Sequence, residues 1–230
     1  MAYAYSNSFD NGNSASGTTL TVSVTYTAGE HVFIRSTRGS LGGTETITDG
    51  TNTYTAIGSS VTTPGDTITH YECVSTAAGT FTVTQTLSVA AAFRGIQGLR
   101  YTGLANSTSL HVGQLQSPPP TTTDATTSGN LTPGSQPGIL IGWAYDFNGS
   151  GSTAAGTGFT SRATFPTEAT ANGSASRAED KRLTSTAAVA ATFTTPGTTG
   201  NVVTSAIWCA EAASANVPAA MHHRRQVGIS

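Results

Sequence analysis

The sequence predicts an all-β fold: an antiparallel two-sheet β-sandwich, jelly-roll-like or Greek-key, with about 10 to 13 strands. Three observations lead to this prediction. Apolar and polar residues alternate along several segments, turn residues separate these segments, and threonine alone outnumbers the charged residues, which make up 10% of the 230 residues. Because threonine is β-branched and fits a pleated surface, the composition favours strands over helices.

Two segments show the alternation that is typical of a half-buried strand. In residues 20–26, leucine, valine and tyrosine alternate with threonine and serine, and residues 81–87 repeat this pattern. Successive side chains of a strand point to opposite faces, so each segment is expected to place one face in the core.

Three segments are apolar on both faces, which is typical of central strands covered on both sides. They are residues 32–34, 139–147 and 202–209. Trp143 and Trp208 lie in the second and third segments, and we interpret both as core residues rather than as a sugar-stacking platform. Further strands are expected near residues 67–74, 94–101, 109–115, 157–165, 178–185 and 190–195.

Residues 47–58, with the sequence ITDGTNTYTAIG, combine a turn signal with a threonine-rich run. Asp49 and Gly50 are residues that a tight turn favours, and the flanking residues alternate as paired strands do. We therefore interpret the segment as a hairpin. Aspartate and asparagine at a turn usually bond to their own backbone, which favours a structural role over the wall of a ligand site.

The domain organisation follows from the same pattern. One sandwich domain is expected over residues 17–215, preceded by a polar N-terminal segment at 1–16 and followed by a C-terminal arm at 216–230. Residues 117–138 lack periodicity and contain five prolines, which predicts a long surface loop. We find no internal repeat in the sequence.

The order of short motifs resembles a group of phage and bacterial extracellular β-sandwich proteins. The matching stretches are residues 47–55, 100–103, 140–142 and 156–160. Arg100 stands where the pattern of that group usually has glutamate, so no role of that acid carries over. The resemblance implies a structural protein of a virion or a cell surface, and it brings no catalytic residues.

Charge and cysteine content exclude several classes of protein. The net charge is −2 and Lys181 is the only lysine, so no basic surface is expected for nucleic acid. Cys73 and Cys209 are too few for a disulfide scaffold or a structural zinc site, and we predict buried free thiols. No leader follows Met1, and no apolar run approaches the roughly 18 residues of a membrane span, so no membrane partner is expected.

The sequence offers no strong catalytic constellation. Glu179 and Asp180 are adjacent, so in a strand they would point to opposite faces rather than across a glycosidase cleft. No Gly-x-Ser-x-Gly motif, which would mark a hydrolytic serine, occurs. His31, His70 and His111 are isolated in sequence, and polar strand or surface roles are favoured over a metal site.

The segment DFNGSGS, residues 146–152, is the most specific local signal. Asp146, Asn148, Ser150 and Ser152 occupy alternate positions, as the ligands of a calcium loop do. The closing acid is missing because residue 157 is threonine. A hairpin tip without an ion explains the same residues, so calcium remains a minor hypothesis and no cofactor is expected.

Two sets of residues are candidates for surface contacts. Tyr3, Tyr5 and Tyr54 are expected to be exposed and are candidate glycan contacts. The C-terminal arm is equally consistent with a disordered tail and with a strand added to the edge of a neighbouring subunit. Its candidate interface residues are His222, His223, Arg224, Arg225, Val227 and Ile229.

These observations predict a non-enzymatic structural protein of a virus or phage particle, such as a capsid decoration, head-fibre or tail-associated protein. Its location would be the virion or the extracellular space, and its partners other copies of itself and other virion proteins. The first alternative is a carbohydrate-binding or receptor-binding, lectin-like module that contacts surface glycans. The second is a glycoside hydrolase on a β-sandwich scaffold.

Overall fold

A computed structural model of the chain describes residues 2–11, 16–39, 43–62, 66–105, 112–116, 125–134, 137–146, 153–168, 174–194 and 202–213. These residues form sixteen strands and no helix, which confirms the all-β prediction with more strands than expected. The strands are β1 Ala4–Asn11, β2 Gly17–Tyr26, β3 His31–Gly39, β4 Glu45–Thr48, β5 Thr55–Thr62, β6 Asp66–Val74, β7 Gly79–Ala91, β8 Gly95–Thr102, β9 Val112–Gln116, β10 Ala125–Thr127, β11 Gly138–Asp146, β12 Ala154–Ala155, β13 Thr160–Glu168, β14 Ser174–Leu183, β15 Thr192–Thr194 and β16 Val202–Ala210.

The strands form four antiparallel sheets. Inner sheet 1 has the order β1-β8-β3-β6-β5, and outer sheet 1 has the order β2-β7-β4. Inner sheet 2 has the order β13-β14-β11-β16-β9, and outer sheet 2 has the order β10-β15-β12. The first sandwich consists of inner and outer sheet 1, and the second sandwich consists of inner and outer sheet 2.

The sheets are stacked in four layers with an apolar core between each pair of neighbouring layers. Both faces of the central strands of each inner sheet are therefore buried, as the segments that are apolar on both faces predict. The outer cores lie inside the two sandwiches, and the central core joins the inner sheets. Ile34 and Val83 belong to the core of the first sandwich, Phe33 and Ile141 to the central core, and Leu140 and Phe193 to the core of the second sandwich.

The second sandwich repeats the strand order of the first. Adding eight to each strand number of inner sheet 1 gives inner sheet 2, and the same step converts outer sheet 1 into outer sheet 2. The register repeats as well: Phe33 pairs with Leu99, and Ile141 pairs with Ile207, each 108 residues further along the chain. The chain is therefore a tandem structural repeat, which the sequence analysis did not find.

Each half has the strand order of a jelly roll, with strands 1, 8, 3 and 6 in one sheet and strands 2, 7 and 4 in the other. Equivalent faces of the two halves meet in the central core: Phe33 and Leu99 come from one half, and Ile141 and Ile207 come from the other. Contact through the same patch on both partners is the geometry of a two-fold interface. The predicted two-sheet sandwich is thus present twice.

Residues 4–11 of the N-terminal segment 1–16 are part of the sandwich. Its strand β1 pairs with β8 along Ala4–Asn11 and forms an edge of inner sheet 1. Phe9 lies opposite Gly98, and its ring occupies the space that a Cβ at residue 98 would need. The polar composition of the segment concealed this strand, because an edge strand keeps many of its residues in solvent.

Residues 117–138 are not a single surface loop. Ala125–Thr127 form β10 and pair with β15, while Leu131 is buried and forms an isolated bridge with Val189. The prolines exclude a long strand, but they do not prevent the three-residue strand between them. The C-terminal arm at 216–230 lies outside the described residues.

Candidate functional site

Residues 49–54 connect two sheets and do not form the tip of a hairpin. β4 pairs with β7 in outer sheet 1, and β5 pairs with β6 in inner sheet 1, so the hairpin prediction is wrong. The Asp-Gly pair does make a turn, in which Gly50 has a φ of 80°. A turn residue fixes the local backbone but does not decide which strand the returning chain joins.

The turn itself uses both carboxylate oxygens of Asp49. Oδ1 accepts the backbone N–H groups of Thr51 and Asn52 at 2.9 and 2.7 Å, and Oδ2 accepts the amide of Asn52 and the hydroxyl of Tyr54. Burial raises the pKa of Asp49, but the hydrogen bonds from Asn52, Thr51 and Tyr54 outweigh it and lower the pKa below its ordinary value. The structural role predicted for this turn matches these bonds.

The three tyrosines expected at the surface are each half-buried. Tyr3 and Tyr5 pack edge-on against Tyr101, with ring centroids 6.2 and 5.6 Å away. Tyr54 bonds to the hydroxyl of Tyr26 at 2.9 Å and packs against the core of the first sandwich. The expectation of exposed rings is wrong, because the edge strand β1 and the 49–54 crossover both fold onto the core.

The other predicted sites fall largely outside the described residues. Asp146 ends β11, whereas Asn148, Ser150 and Ser152 are not described. The C-terminal candidates His222, His223, Arg224, Arg225, Val227 and Ile229 are not described either. Within the described ranges, no three histidine, cysteine, aspartate or glutamate side chains are grouped to hold a metal ion.

Glu179 and Asp180 leave β14 on opposite faces, as predicted. Glu179 accepts the backbone N–H groups of Gly156 and Thr192 at 2.8 and 3.3 Å, inside the second sandwich. Asp180 accepts hydrogen bonds on the other face, toward the first sandwich. Burial raises the pKa of Glu179 to about 7. The two carboxylates do not face each other across a cleft, as a glycosidase pair must.

The seam, which is the buried contact between the two inner sheets, contains a serine and a histidine at hydrogen-bond distance. Ser205 Oγ lies 2.7 Å from His70 Nε2, and the His70 ring stacks on Trp143 with centroids 5.0 Å apart. Such a pair supplies two of the three members of a hydrolytic triad, and a third group must orient the imidazole. His70 Nδ1 has no hydrogen-bond partner among the described residues.

The surroundings of this pair indicate a structural role. Ser205 and His70 are each 2% exposed, so a substrate has no path to them. Burial lowers the pKa of His70 to about 3, with a further contribution from the charge of Arg35. The imidazole is therefore neutral over most of the pH range, and it packs as a polar member of the core.

Arg35 is the charged residue at the centre of the seam. Its guanidinium donates to Gln97 Oε1 and lies 4.6 Å from the centre of the Tyr145 ring. Tyr145 donates to Asp66 at 3.3 Å, and burial raises the pKa of Asp66 to about 6. The sequence signal that could have identified this network is an arginine directly after three contiguous apolar residues. The seam holds the sandwiches together by polar and apolar contacts.

The outward surface of outer sheet 1 is an array of hydroxyl side chains, here called the threonine face. Thr19, Thr86 and Thr46 lie side by side across the three strands, and the next row repeats the arrangement. Neighbours within a row lie on adjacent strands, which are about 4.8 Å apart. The face consists of Thr19, Thr21, Ser23, Thr25, Thr46, Thr48, Thr80, Thr82, Thr84 and Thr86.

The threonine face is uncharged and accessible. Thr84 is half-buried and the other nine side chains are exposed, and no ionisable residue stands among the ten. Thr25 and Thr80 share a hydrogen bond of 2.9 Å between their hydroxyls. Outer sheet 2, the equivalent sheet, has strands of only three, two and three residues. The repeated fold therefore does not require so long a threonine array.

No family model, curated protein or solved structure matches the chain. The described residues also contain no helix that is both long and apolar enough to cross a membrane.

Proposed function

We propose that the protein is a non-enzymatic structural component of a virus or phage particle, such as a capsid decoration, head-fibre or tail-associated protein. Its partners are other copies of itself and other virion proteins, and its location is the virion. The observation that carries this proposal is the threonine face, a broad uncharged surface on a duplicated jelly roll. Jelly rolls are frequent in capsid and lectin domains, although a fold alone does not decide a function.

An uncharged hydroxyl face suits a protein contact in a lattice. Burying a charge in an interface costs a large desolvation penalty unless the charge is paired, whereas hydroxyl groups can exchange water for hydrogen bonds with a neighbour. Threonine methyl groups add apolar area to the same contact. The face can thus be covered by a neighbouring protein at low cost.

The same hydroxyl groups support a second candidate, a receptor-binding module for neutral surface glycans. The side chains of Thr21 and Thr82 are exposed, so their hydroxyls are accessible to a ligand. A glycan array with a Thr82→Lys control distinguishes the two candidates. Glycan binding that is lost in the variant supports the receptor-binding module and counts against a purely structural role.

The proposal is tested by quantitative mass spectrometry of particles purified from the source by density gradient. We expect the protein in a fixed copy number relative to the major capsid protein, and its absence from the particles rejects the proposal.

A matched pair of variants then tests the threonine face. Thr86→Lys places a charge in the array, and Thr194→Lys places one at the equivalent position of outer sheet 2, 108 residues further on. Both sites are exposed, so both variants should fold. We expect at least tenfold weaker incorporation of Thr86→Lys only, and equal incorporation of both variants excludes this face as the contact.

A further inference from the structure

Three buried polar side chains meet inside the first sandwich. Ser36 comes from β3 in inner sheet 1, and Gln85 comes from β7 in outer sheet 1. Glu45, the third member, is at the start of β4, the neighbour of β7 in outer sheet 1. Ser36 and Gln85 are fully buried, and the side chain of Glu45 is 4% exposed. The group therefore bridges the two sheets out of contact with solvent.

The three groups contact one another through a single carboxylate oxygen. Ser36 donates its hydroxyl to Glu45 Oε1. Gln85 Nε2 donates to the same oxygen at 2.7 Å and to Ser36 Oγ at 2.7 Å. Arg38 Nε lies 3.7 Å from the other carboxylate oxygen of Glu45. A hydroxyl, a primary amide and a carboxylate thus lie within hydrogen-bond distance of one another.

The second sandwich shows that the fold does not require this polar group. The positions 108 residues beyond Ser36 and Gln85 are Ala144 and Phe193, which occupy the same places in the register. Both are buried in the apolar core of the second sandwich. The equivalent space between the sheets can be filled by ordinary apolar packing, so the polar group in the first sandwich calls for another explanation.

The amide of Gln85 is also incompletely satisfied. Its carbonyl oxygen Oε1 is buried and accepts no hydrogen bond from the described residues, although Nε2 makes three contacts. A buried acceptor without a donor is destabilising and is rare in native proteins. The amide of Gln85 is thus held through its nitrogen alone.

We infer that Ser36, Glu45 and Gln85 form a self-processing site that joins Ser36 to Gln85 through an ester bond and releases ammonia. Glu45 takes the hydroxyl proton of Ser36 as a general base, and Oγ attacks the amide carbon of Gln85. The carbon–nitrogen bond breaks, and Glu45 returns the proton to the leaving nitrogen. One hydroxyl and one primary amide become one ester and one ammonia molecule, with no oxidant or reductant involved.

The position of Glu45 suits both proton transfers. Its Oε1 contacts the hydroxyl that loses the proton and the nitrogen that gains it, so neither transfer needs a second group. The attack requires rotation of the Gln85 side chain about its Cβ–Cγ bond, which moves the amide carbon towards Ser36 Oγ. Water is excluded from the site, which protects the ester from hydrolysis. The product links inner sheet 1 to outer sheet 1 covalently.

The test is the intact mass of the purified full-length chain, followed by peptide mapping. We expect a mass lower than that of the sequence by one ammonia molecule. Digestion should give a cross-linked pair of peptides that contain Ser36 and Gln85, and hydroxylamine should separate the pair. Ser36→Ala should restore the mass of its sequence. Ser176→Ala is the matched control, because Ser176 also bonds a buried glutamine, Gln97, at 3.0 Å without a bridging carboxylate.

Peptide mapping is essential because a succinimide at an Asn-Gly pair also loses one ammonia. The sequence has such pairs at residues 11–12, 148–149 and 172–173. A loss of ammonia that maps to those pairs, or that persists in Ser36→Ala, overturns the inference. A wild-type chain whose intact mass equals that of its sequence also overturns the inference, and this result does not depend on whether any variant folds. Loss of the cross-link in Glu45→Gln, with the fold retained, supports the assigned role of the carboxylate.

Discussion

Replacing Tyr101 by phenylalanine removes one hydrogen bond that crosses the seam. Tyr101, on β8, is fully buried and donates its hydroxyl to Asp180 Oδ2 on β14 at 2.9 Å. Arg162 Nε donates to the same oxygen at 2.6 Å. Burial and the neighbouring carboxylate of Asp180 raise the pKa of Tyr101 well above its ordinary value, so the phenol keeps its proton and remains the donor. The variant leaves a buried carboxylate with one donor fewer.

The expected cost follows from the charge of the acceptor. A hydrogen bond to a charged group contributes about 1.5–3 kcal/mol to the free energy of unfolding. In a protein of this size each kcal/mol lowers Tm by about 2–4 °C, so Tyr101→Phe should lower Tm by about 3–12 °C. The ring remains and fills the same space, so no cavity contributes to the loss.

Differential scanning calorimetry of the wild type and two variants provides the measurement. Tyr5→Phe is the matched control, because the hydroxyl of Tyr5 also crosses the seam but donates to a neutral backbone oxygen, that of Arg162, at 3.2 Å. Its loss should cost about 0.5–1.5 kcal/mol. A Tm for Tyr101→Phe equal to or higher than that for Tyr5→Phe would refute the assignment of a charged hydrogen bond across the seam.

Four further predictions concern the thiols, metal, pH and the C-terminal arm. Cys73 and Cys209 are buried free thiols whose pKa values burial raises, so they should not react with a thiol reagent until denaturation releases two equivalents; reaction in the native state would contradict their burial. EDTA should leave Tm unchanged if the segment 146–152 is a hairpin tip, and a fall that calcium reverses would establish a metal site. The folded-state pKa of Glu179, raised from 4.5 to about 7, means that its contribution to stability is present at low pH and is lost as the pH rises through about 7. Denaturant titrations from pH 5 to pH 8 should therefore show a fall in unfolding free energy that Glu179→Gln reduces, and an unchanged slope would contradict the raised pKa. Deleting residues 217–230 should leave a cooperative melt but weaken assembly in analytical ultracentrifugation. Assembly equal to that of the full chain would contradict a role of the arm in assembly.

The strands and much of the core could be predicted from local patterns. Alternation identified β2 and β7, and segments apolar on both faces identified β3, β11 and β16. These signals are local, because a strand covered on both faces must be apolar on both faces wherever it lies. Both tryptophans and Cys209 lie in such segments and are buried, and Cys73 is buried in β6, as predicted.

The duplication could not be predicted because it lies in register and strand order rather than in residue identity. Ser36 and Ala144 occupy equivalent positions, as do Gln85 and Phe193, yet neither pair is similar in chemistry. Apolar core positions also accept many substitutions of similar volume, which erases sequence similarity between repeats. Three segments covered on both faces did indicate more than two layers, and that signal was available in the sequence.

The candidate sites were harder to predict than the fold because a site depends on which elements meet. Asp49 and Gly50 predicted the turn correctly, but the partner of the returning strand is decided by pairing far along the chain. The threonine face required the register between β2, β7 and β4, which no single segment contains. The polar group of Ser36, Glu45 and Gln85 is assembled from three strands in two sheets.

The most direct test of the particle proposal is a cryo-electron microscopy reconstruction of purified particles at a resolution that separates strands. We expect the four-layer double sandwich at symmetry-related positions, with the threonine face covered by a neighbouring protein. Particles that lack this density, or a chain whose threonine face is fully exposed to solvent at every position, would contradict the account.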